Sequence, residues 1–567
     1  MRRRVFLSGS FLTGVGLPLL AGCKLPWRSK RQAGSTSSAS AGKASGTAVP
    51  AASGAPQGWQ ELDAHVMGHH LGFQVSPLVR RDEKTTVLAL KLTRAKDDAS
   101  VKDVSDAFPN SSKNVFEASS PLSRPGLMKT FYWGANGVRL LDLPTSRVWV
   151  AIDSIENKVE DNYNDLSLKP GESTSCFVLF GPVDAKQVTV FVPQAGFVTV
   201  NVLDSSAAAA SGIDFKAIDK AFKNVANPSY KAKPDQALAA PVAIERYTKA
   251  LDDSTSTQAG SKDITVTLAS DVTFASDSAD LASGAEAQLQ TVATQLKQHP
   301  DGGTLTIVGH TDDVQDDAYN QTLSEKRANA VKTRLAQLTS LDKWQTTVSG
   351  KGESEPRIND TTDEARAANR RVEITLTPTG GTTPKNTTTP TPNSSGGKLP
   401  APKGPVAKGT EGVTVKSDGG DDHLTITIDH VTRTNGYLLG QLHTTISAKK
   451  NSAPNLHLWF KDKEVIFITN SRGEDGSDEA TTYAADGLTL LAGGERIYPA
   501  DYRDAGFKTH VPLTELALTP FIKAGTTTIC VIWPDPGGDT ITLDHLPAAH
   551  LGSSYAYRLT DIPIKNN

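Results

Sequence analysis

An arginine inside an apolar stripe is the first feature of the sequence that points to chemistry. Arg327 follows Leu323 and precedes Val331 and Leu335 at four-residue spacing, so these side chains share one face of a predicted helix. Burying a guanidinium is unfavourable unless an anion meets it. Asp312, at the end of the strand-like run TLTIVGHTD, is the nearest candidate in the sequence. Either Asp312 neutralises Arg327 in an internal ion pair, or Arg327 receives another anion.

Alternating strands and helices surround these two residues. The strand-like run DITVTLASDVTF precedes a helix whose apolar face includes Ala285, Leu289 and Val292. The run TLTIVGH, the helix of Arg327 and the strand-like runs TTVSGKGE and RRVEITL follow in order. This alternation predicts an α/β sandwich at residues 262–378, with helices that cover a sheet.

Several ordered motifs in this segment resemble the peptidoglycan-binding domain of the OmpA-like family. They are VGHTD, YNQTLSEKRANAV, GKGESEP and ARAANRRVEITL. The resemblance implies that Asp312 and Arg327 grip the diaminopimelate residue of the peptidoglycan stem peptide. It also implies that Asn320 and Arg370 line the pocket, together with Asp277 near the end of the first strand. The sequence departs from the family at DDVQDD, where a glycine is common, so the additional acids either favour a cationic ligand or solvate the loop.

The implied ligand suits these side chains. Diaminopimelate carries an ammonium and a carboxylate on one carbon, and an aspartate beside an arginine matches both charges. The planar fork of arginine donates two parallel hydrogen bonds, which lysine cannot do. Arg370 and Arg371 are adjacent in a predicted strand, where alternate side chains face opposite ways. We therefore expect one of the two to be solvated.

The N-terminal run MRRRVFLSGSFLTGVGLPLLAGC is typical of an export signal, with a basic start followed by an apolar stretch. Its last four residues, LAGC, resemble the lipobox of bacterial lipoproteins, which implies acylation at Cys23. The alternative is an ordinary cleaved signal with a chance cysteine. Arg3 and Arg4 also resemble the twin-arginine export motif. Because no other segment has the roughly 18 to 20 apolar residues of a membrane span, we expect an exported, membrane-anchored lipoprotein of the cell envelope that faces the cell wall.

The length of 567 residues predicts several domains. A net charge of -3 argues against nucleic acid as a main partner. The predicted order is a lipoprotein signal peptide (1–23), a flexible linker (24–56), a β-sandwich domain (57–205), a linker with a short helix (206–261), the OmpA-like domain (262–378), a Pro/Thr-rich linker (379–410) and a second β-sandwich domain (411–567).

The sequence patterns of the two flanking domains indicate all-β folds. We predict that the two domains are duplicated immunoglobulin-like sandwiches. Without a gap, the run around Cys176 aligns with the run around Cys530, and Pro182 aligns with Pro536. This alignment predicts that both cysteines occupy inward strand positions. A redox pair is the alternative, and it requires the two domains to meet.

Other patterns are weaker as sites. Glu61, His65 and His69 would share a face only if that run were helical, and Gly68 interrupts it. The aspartates at positions 418, 421 and 422 hint at calcium but are also typical of a turn. No nucleophile elbow, phosphate loop or paired-histidine metal motif is present. We therefore predict no enzyme activity, no cofactor and no metal.

Two classes of function remain open. The leading hypothesis is a non-enzymatic lipoprotein that tethers the membrane to the wall, through lipid on Cys23 and through noncovalent binding of the stem peptide. The alternative is a wall-docked adhesin, assembly subunit or stress-response component whose β-sandwich domains bind a protein. Exposed aromatic clusters around Trp133, Trp149 or Trp459 would favour the alternative.

Overall fold

The computed structural model describes residues 58–98, 115–124, 134–156, 166–224, 240–275, 277–382, 399–417, 422–447, 456–462, 471–472, 474, 481, 483–503, 509–518, 525–546 and 554–567. All of them belong to one compact unit, Val49–Asn567. The predicted export signal, the 24–56 linker and Cys23 lie outside the described residues. In the described part of the chain, no helix is long and apolar enough to cross a membrane.

The first β body, residues 57–205, is built from antiparallel strands with one parallel pair. Its strands are β1 (Gln60–Val66), β2 (His69–Val75), β3 (Leu78–Arg80), β4 (Thr86–Arg94), β5 (Phe116–Glu117), β6 (Arg139–Asp142), β7 (Arg147–Val150), β8 (Asp153–Glu156), β9 (Ser167–Leu168), β10 (Ser173–Phe180), β11 (Gln187–Val192) and β12 (Gly196–Leu203), with a short helix α1 (Ser119–Leu122). Alternating burial along β2 shows why this run forms a strand with one face in the core. The pairing order is β1-β2-β4-β3-β12-β11-β6-β7, and β10 pairs with β4.

The predicted linker 206–261 contains more structure than expected. Helix α2 (Phe215–Asn224) buries Ile218 and Ala221 against the outer face of the first β body. Strands β13 (Val242–Ala243), β14 (Arg246–Ala250) and β15 (Thr255–Ala259) follow, and we call residues 240–261 the connector. The linker prediction is therefore wrong for the connector, whose short strands add to sheets on either side of it.

The middle domain, residues 262–378, has the predicted α/β architecture. Its elements are β16 (Ile264–Ala269), α3 (Ser270–Thr273), α4 (Ala285–Gln298), β17 (Gly303–Gly309), α5 (Asp317–Leu338), β18 (Trp344–Gly350), α6 (Asp363–Asn369) and β19 (Arg371–Pro378). The strand order is β18-β17-β19-β16, with β17 and β18 parallel. Helices α4 and α5 bury Leu289, Val292 and Val331 in a shared core with the strands.

The second β body, residues 411–567, is also rich in strands. They are β21 (Val413–Lys416), β22 (His423–Thr427), β23 (Val431–Thr434), β24 (Tyr437–Ser447), β25 (Thr489–Ala492), β26 (Glu495–Ile497), β27 (Asp501–Tyr502), β28 (Val511–Pro512), β29 (Gly525–Pro534), β30 (Thr540–His545) and β31 (Tyr557–Asn566). A further strand, β20 (Val406–Lys408), pairs with β31 although it lies at the end of the predicted 379–410 linker. The molecule is thus multidomain and rich in sheets.

Both β bodies pair their strands in the same order. The path β21-β22-β24-β23-β31-β30-β25-β26 follows the same sequence of steps as the path of the first body, and β29 pairs with β24 as β10 pairs with β4. The parallel pair also recurs, as β3 with β12 and as β23 with β31. Gly137 donates to Leu122 O at 2.8 Å, and Gly487 donates to Phe460 O at 2.7 Å. The immunoglobulin-like assignment of the two bodies stays a prediction.

The two cysteines lie on corresponding strands but face different cores. Cys176, on β10, is buried in the core of the first β body. Cys530, on β29, is buried in an apolar cluster that also contains Leu141 and Val150 of the first body. The predicted inward position is therefore wrong for Cys530. A shift of one residue along a strand turns a side chain to the other face, so the ungapped alignment is displaced by one position in space.

Candidate functional site

The predicted site residues meet at one edge of the middle sheet. Ala269, at the end of β16, pairs with Arg371 at the start of β19, and Gly309, at the end of β17, pairs with Val372. The chain segments that continue from these strand ends carry Asp271 on α3, Asp312 in the loop after β17, and Arg370 just before β19. The sheet register thus brings together residues that are far apart in sequence.

Arg327 lies on α5 with 5% of its surface exposed. Its Nε donates to Ser278 O at 2.9 Å, and its guanidinium lies 5.2 Å from the centre of the Phe274 ring. No carboxylate of the described residues forms an ion pair with it. Burial lowers the pKa of Arg327, and the nearby charges of Asp271 and Asp277 oppose that shift. The bond to Ser278 fixes the guanidinium and leaves the Nη groups without a protein acceptor among the described residues.

Asp312 pairs with Arg370 rather than with Arg327. Its Oδ2 accepts from Arg370 Nη1 at 2.6 Å, while its Oδ1 is 3.4 Å from the Val314 N–H. The structure therefore contradicts the alternative in which Asp312 and Arg327 form an internal ion pair. Asp312 is mostly buried, with 14% of its side chain exposed.

Asp271 is a member of this cluster that the sequence motifs missed. Arg370 donates from Nε to Asp271 Oδ1 and from Nη2 to Oδ2, both at 2.7 Å, which makes a bidentate fork. The hydrogen bonds with Asp271, supported by the single bond with Asp312, raise the pKa of Arg370. Asp271 follows the end of β16 by two positions, and only the pairing of Ala269 with Arg371 in the sheet reveals that it lies beside Arg370.

Asn320 organises the loop that carries Asp312. Its Nδ2 lies within hydrogen-bond distance of Asp312 O, Gln315 O and Glu353 Oε2, at 3.1, 3.0 and 2.6 Å. The loop then enters α5 through Asp316, whose side chain caps the helix by accepting from Tyr319 N at 2.9 Å. The Asn320 amide is therefore engaged by the protein itself.

Asp277 and Arg371 complete the set of predicted residues. Asp277 is exposed, has a left-handed backbone with φ 52, and adds negative charge near Arg327. Arg371 is buried and pairs with Glu373 at 2.7 Å. Arg370 is the more exposed of the two arginines, with 28% of its side chain accessible, but it also pairs with Asp271 and Asp312. Arg370 caps α6 before β19 begins, so the simple alternation of strand side chains does not apply to this pair.

The site offers complementary chemistry in a small space. The Nη groups of Arg327 can donate to a carboxylate, and Asp312 Oδ1 and Asp277 can accept from an ammonium. Val314 and Tyr319, in the loop and the first turns of α5, are exposed by 60% and 41%. A ligand that carries both charges together with an aliphatic chain would match this surface.

The other candidate sites fare differently. Glu61, His65 and His69 lie on β1 and β2 rather than on a helix, and Glu61 bonds to Gln74. The metal hypothesis thus loses the helix on which it depended. Asp418 and Asp421 of the calcium hypothesis lie outside the described residues.

The tryptophans provide little support for an exposed aromatic cluster. Trp149 and Trp459 are buried, and Trp149 donates to Pro182 O at 3.1 Å. Trp133 lies outside the described residues.

One further charged cluster lies between the connector and the second β body. Ligand atoms of Glu245, Asp501 and His510 lie within 4.8 Å of one another. Arg472 already forms a bidentate pair with Asp501, at 2.7 and 2.5 Å, and contacts Glu245 at 3.2 Å. Because a guanidinium already fills this space, the cluster fits an ion-pair network better than a metal centre.

Comparison with known proteins places the site in a family. Residues 273–370 match the model of the OmpA family. Over 103 residues the chain is 43% identical to outer membrane porin F of Pseudomonas aeruginosa, covering 18% of this chain and 29% of that protein. Over 115 residues it is 35% identical to the probable lipoprotein YiaD of Escherichia coli, covering 20% of this chain and 52% of that protein.

One solved structure is similar to part of this chain. It is the cell wall anchor of the T6SS from Pseudomonas aeruginosa, with 28% identity, coverage of 23% of this chain and 90% of that chain, and a TM-score of 0.21. The matched segment spans about half or less of the curated relatives named above. By the match to the family model, residues 273–370 are a domain of the OmpA family, set within a longer chain.

Proposed function

We propose that this protein binds peptidoglycan noncovalently, with the diaminopimelate residue of a stem peptide held in the Arg327 site. The observation that carries the proposal is the unpaired state of Arg327, a buried arginine without an ion-pair partner among the described residues. An unneutralised buried guanidinium is costly, and a ligand carboxylate would remove that cost. The membership of this segment in the OmpA family supports the same function.

In this proposal the five predicted residues have different roles. The ligand carboxylate accepts two hydrogen bonds from the Nη groups of Arg327. The ligand ammonium donates to Asp312 Oδ1 and lies close to Asp277. Asn320 and Arg370 hold Asp312 in place, through its backbone carbonyl and its Oδ2 respectively. The proposal assigns no catalytic step and no cofactor to the chain.

The second part of the proposal is a link between membrane and wall. Acyl groups on Cys23 anchor one end of the protein in a membrane of the cell envelope, and the OmpA-family domain holds the wall. The lipobox-like sequence LAGC supports the anchor, and the likeness to a probable lipoprotein supports an envelope location.

The two β bodies, which share one strand order, are in this proposal copies of a single unit that separates the anchor from other envelope components. A crystal structure in which the two bodies do not superpose strand for strand would contradict the duplication.

The wall-binding part is tested by cosedimentation with purified peptidoglycan sacculi. Replacing Arg327 with alanine should remove most of the protein from the pellet, because losing one member of a desolvated, hydrogen-bonded charge pair costs roughly 2 to 5 kcal/mol. Arg334→Ala is the matched control, since Arg334 is on the same helix but pairs with Glu286 on the surface. Equal sedimentation of the Arg327→Ala and wild-type proteins would contradict the proposal.

The membrane part is tested with a Cys23→Ser variant. We expect this protein to leave the detergent-rich phase in a partitioning experiment, because serine offers no thiol for acylation. Its thermal unfolding in solution should match that of the wild-type body. If the variant still enters the detergent phase, an anchor other than Cys23 holds the protein.

A further inference from the structure

The arrangement around Arg370 is asymmetric. Asp271 occupies the Nε and Nη2 edge of the guanidinium with both of its oxygens, and Asp312 receives a single bond from Nη1. The N–H of Ser270 donates to the backbone carbonyl of Arg370 at 3.0 Å, so the first turn of α3 is held against Arg370. Asp271 is thus fixed beside Arg370 by backbone contacts as well as by its side chain.

The orientation of the Arg370 guanidinium determines how many hydrogen-bond acceptor positions of Asp312 remain for a ligand. A carboxylate has two oxygens and about four acceptor positions, and a bidentate arginine fork engages both oxygens. Because the fork of Arg370 faces Asp271, Asp312 Oδ1 has only the 3.4 Å contact with the Val314 N–H. Asp312 Oδ1 therefore has no hydrogen bond to a side chain of the described residues, and it keeps acceptor positions for a ligand.

We propose that Asp271 is a positioning residue. It holds the Nε and Nη2 edge of the Arg370 guanidinium, so that Asp312 retains an acceptor for the ligand ammonium. Without Asp271, Arg370 is free to turn its fork onto Asp312, which would then be engaged at both oxygens. In this scheme Asp271 acts through Arg370, to which both of its oxygens are bonded. The inference rests on the proposed function of the same site and adds the means by which a free amine is selected.

The consequence is specific to one half of the ligand. Loss of Asp271 should weaken recognition of the ammonium and leave the contact between Arg327 and the ligand carboxylate in place. A role that is merely structural would instead weaken binding of all ligands to the same degree.

The test compares two stem peptides by titration calorimetry with the detergent-solubilised full-length protein. One peptide carries diaminopimelate, and the other carries the same residue with its side-chain amine acetylated. The wild-type protein should prefer the free amine, and Asp271→Asn should reduce that preference about tenfold or more, as expected for one hydrogen bond to a charged group. Asp271→Glu, which can still form a fork with Arg370, should restore part of the preference.

A variant in the partner residue separates the possible outcomes. If Asp271 acts through Arg370, adding Asp271→Asn to an Arg370→Ala protein should change the preference no further. An unchanged preference in Asp271→Asn, or an equal further loss in the Arg370→Ala background, overturns this inference alone. If the wild-type protein binds neither peptide, the proposed function fails and the inference fails with it. Thermal unfolding of each variant checks that the domain remains folded.

Discussion

Arg327 differs from other buried arginines in the groups that pair with its guanidinium. Arg371 pairs with Glu373, and Arg496 pairs with Asp544. Arg139, which like Arg327 has no carboxylate partner in the described part of the chain, donates through both Nη groups to backbone carbonyls. For Arg327 the bonded atom is Nε, with Ser278 O as acceptor. In the proposed function, the Nη groups of this buried guanidinium have no acceptor among the described residues because they donate to the ligand carboxylate.

At the same scale, Asn320 should be important for both stability and binding. Replacing it with alanine removes the amide donor to the carbonyls of Asp312 and Gln315, and each lost hydrogen bond costs about 0.5 to 1.5 kcal/mol. We expect a lower free energy of unfolding in chemical denaturation, together with weaker sacculus binding as the Asp312 loop loosens.

Asn329→Ala is the control for this change. Asn329 is exposed on the same helix, and its amide bonds to Glu325 O. The control should unfold and bind much like the wild type. Equal effects of the two substitutions would show that Asn320 has no special role in the loop.

Single residues were predictable where a motif carried them. Asp312, Arg327, Asn320 and Arg370 came from ordered motifs and Asp277 from the family resemblance, and the structure brings them to one edge of the middle sheet. Their individual tasks were not predictable, because the pairing of Asp312 depends on Arg370, 58 positions along the chain. Asp271 was missed for the same reason, since its partner Arg370 is 99 positions away.

At the scale of elements, helix α5 must lie very close to the sheet to place Arg327. A Cβ atom on Gly309 would lie 2.2 Å from Ser324 O, and one on Gly350 would lie 2.3 Å from Ser324 Oγ. Glycine at the ends of β17 and β18 therefore allows the helix backbone to approach. This contact sets the distance between Arg327 on the helix and Asp312 after the strand.

Replacing Gly309 with alanine should force α5 outward. The clashing atom is a backbone oxygen, which cannot rotate away, so we expect a loss of stability of about 1 to 3 kcal/mol. Binding to sacculi should fall as well, because Arg327 moves with the helix. Gly260→Ala is the control, since its nearest neighbours lie at an ordinary 3.6 Å. Wild-type unfolding and binding of the Gly309 variant would contradict this view of the contact.

Helices and strands were predicted correctly where a repeating burial pattern spans many residues. They were missed where the strands are short and have no such pattern. Strands β16 and β17 alternate buried and less buried positions, and the 22-residue helix α5 repeats its buried positions at helical spacing, from Asn320 to Leu335. The connector strands VA, RYTKA and TSTQA have no clear alternation of buried positions. Such strands form because remote edges accept their backbone hydrogen bonds, which is tertiary information that a local pattern lacks.

At the scale of the whole molecule, the connector joins all three bodies by backbone pairing. β13 pairs with β7 of the first β body, β14 with β26 of the second, and β15 with β16 of the OmpA-family domain. The middle domain and the second β body also touch through Arg357, which donates to Arg472 O at 2.5 Å. Wall binding would therefore place the two β bodies in a defined orientation.

The ion-pair network at the connector predicts a loss of stability in alkali. His510 contacts Glu474 through Nδ1 at 2.7 Å and Glu245 through Nε2 at 3.0 Å, and a ring that donates on both sides is protonated. Burial lowers the pKa of His510, but these hydrogen bonds outweigh it, with help from Asp501 and against the charge of Arg472, and raise the pKa to about 9. A raised pKa stabilises the folded state below the unfolded value of about 6.5, and this contribution disappears as the pH rises through about 9.

The measurement is the melting temperature between pH 7 and pH 10. It should fall across this range in the wild-type protein and fall less in a His510→Gln variant, which is already less stable at pH 7. His443→Gln, on an exposed strand position, should keep the wild-type slope. An identical pH slope in the wild type and in His510→Gln would show that His510 does not hold the connector through its charge.

The packing of the two β bodies against each other could not be predicted from the sequence. Leu141 and Val150 of the first body share a core with Cys530 and Ile532 of the second, yet each lies in an apolar run that resembles any core strand. A strand buried on both faces has no alternation that distinguishes its own core from an interface. Three separate bodies on linkers were therefore predicted where the structure shows a joined assembly.

The most direct measurement is the affinity of the full-length protein for two soluble stem peptides, one with diaminopimelate and one with lysine, which lacks the second carboxylate. We predict that the wild-type protein prefers the diaminopimelate peptide, and that Arg327→Ala and Arg327→Lys both lose this preference, because neither side chain offers the bidentate fork. The account would be contradicted if either variant, folded as judged by thermal unfolding, still preferred the diaminopimelate peptide as strongly as the wild type does.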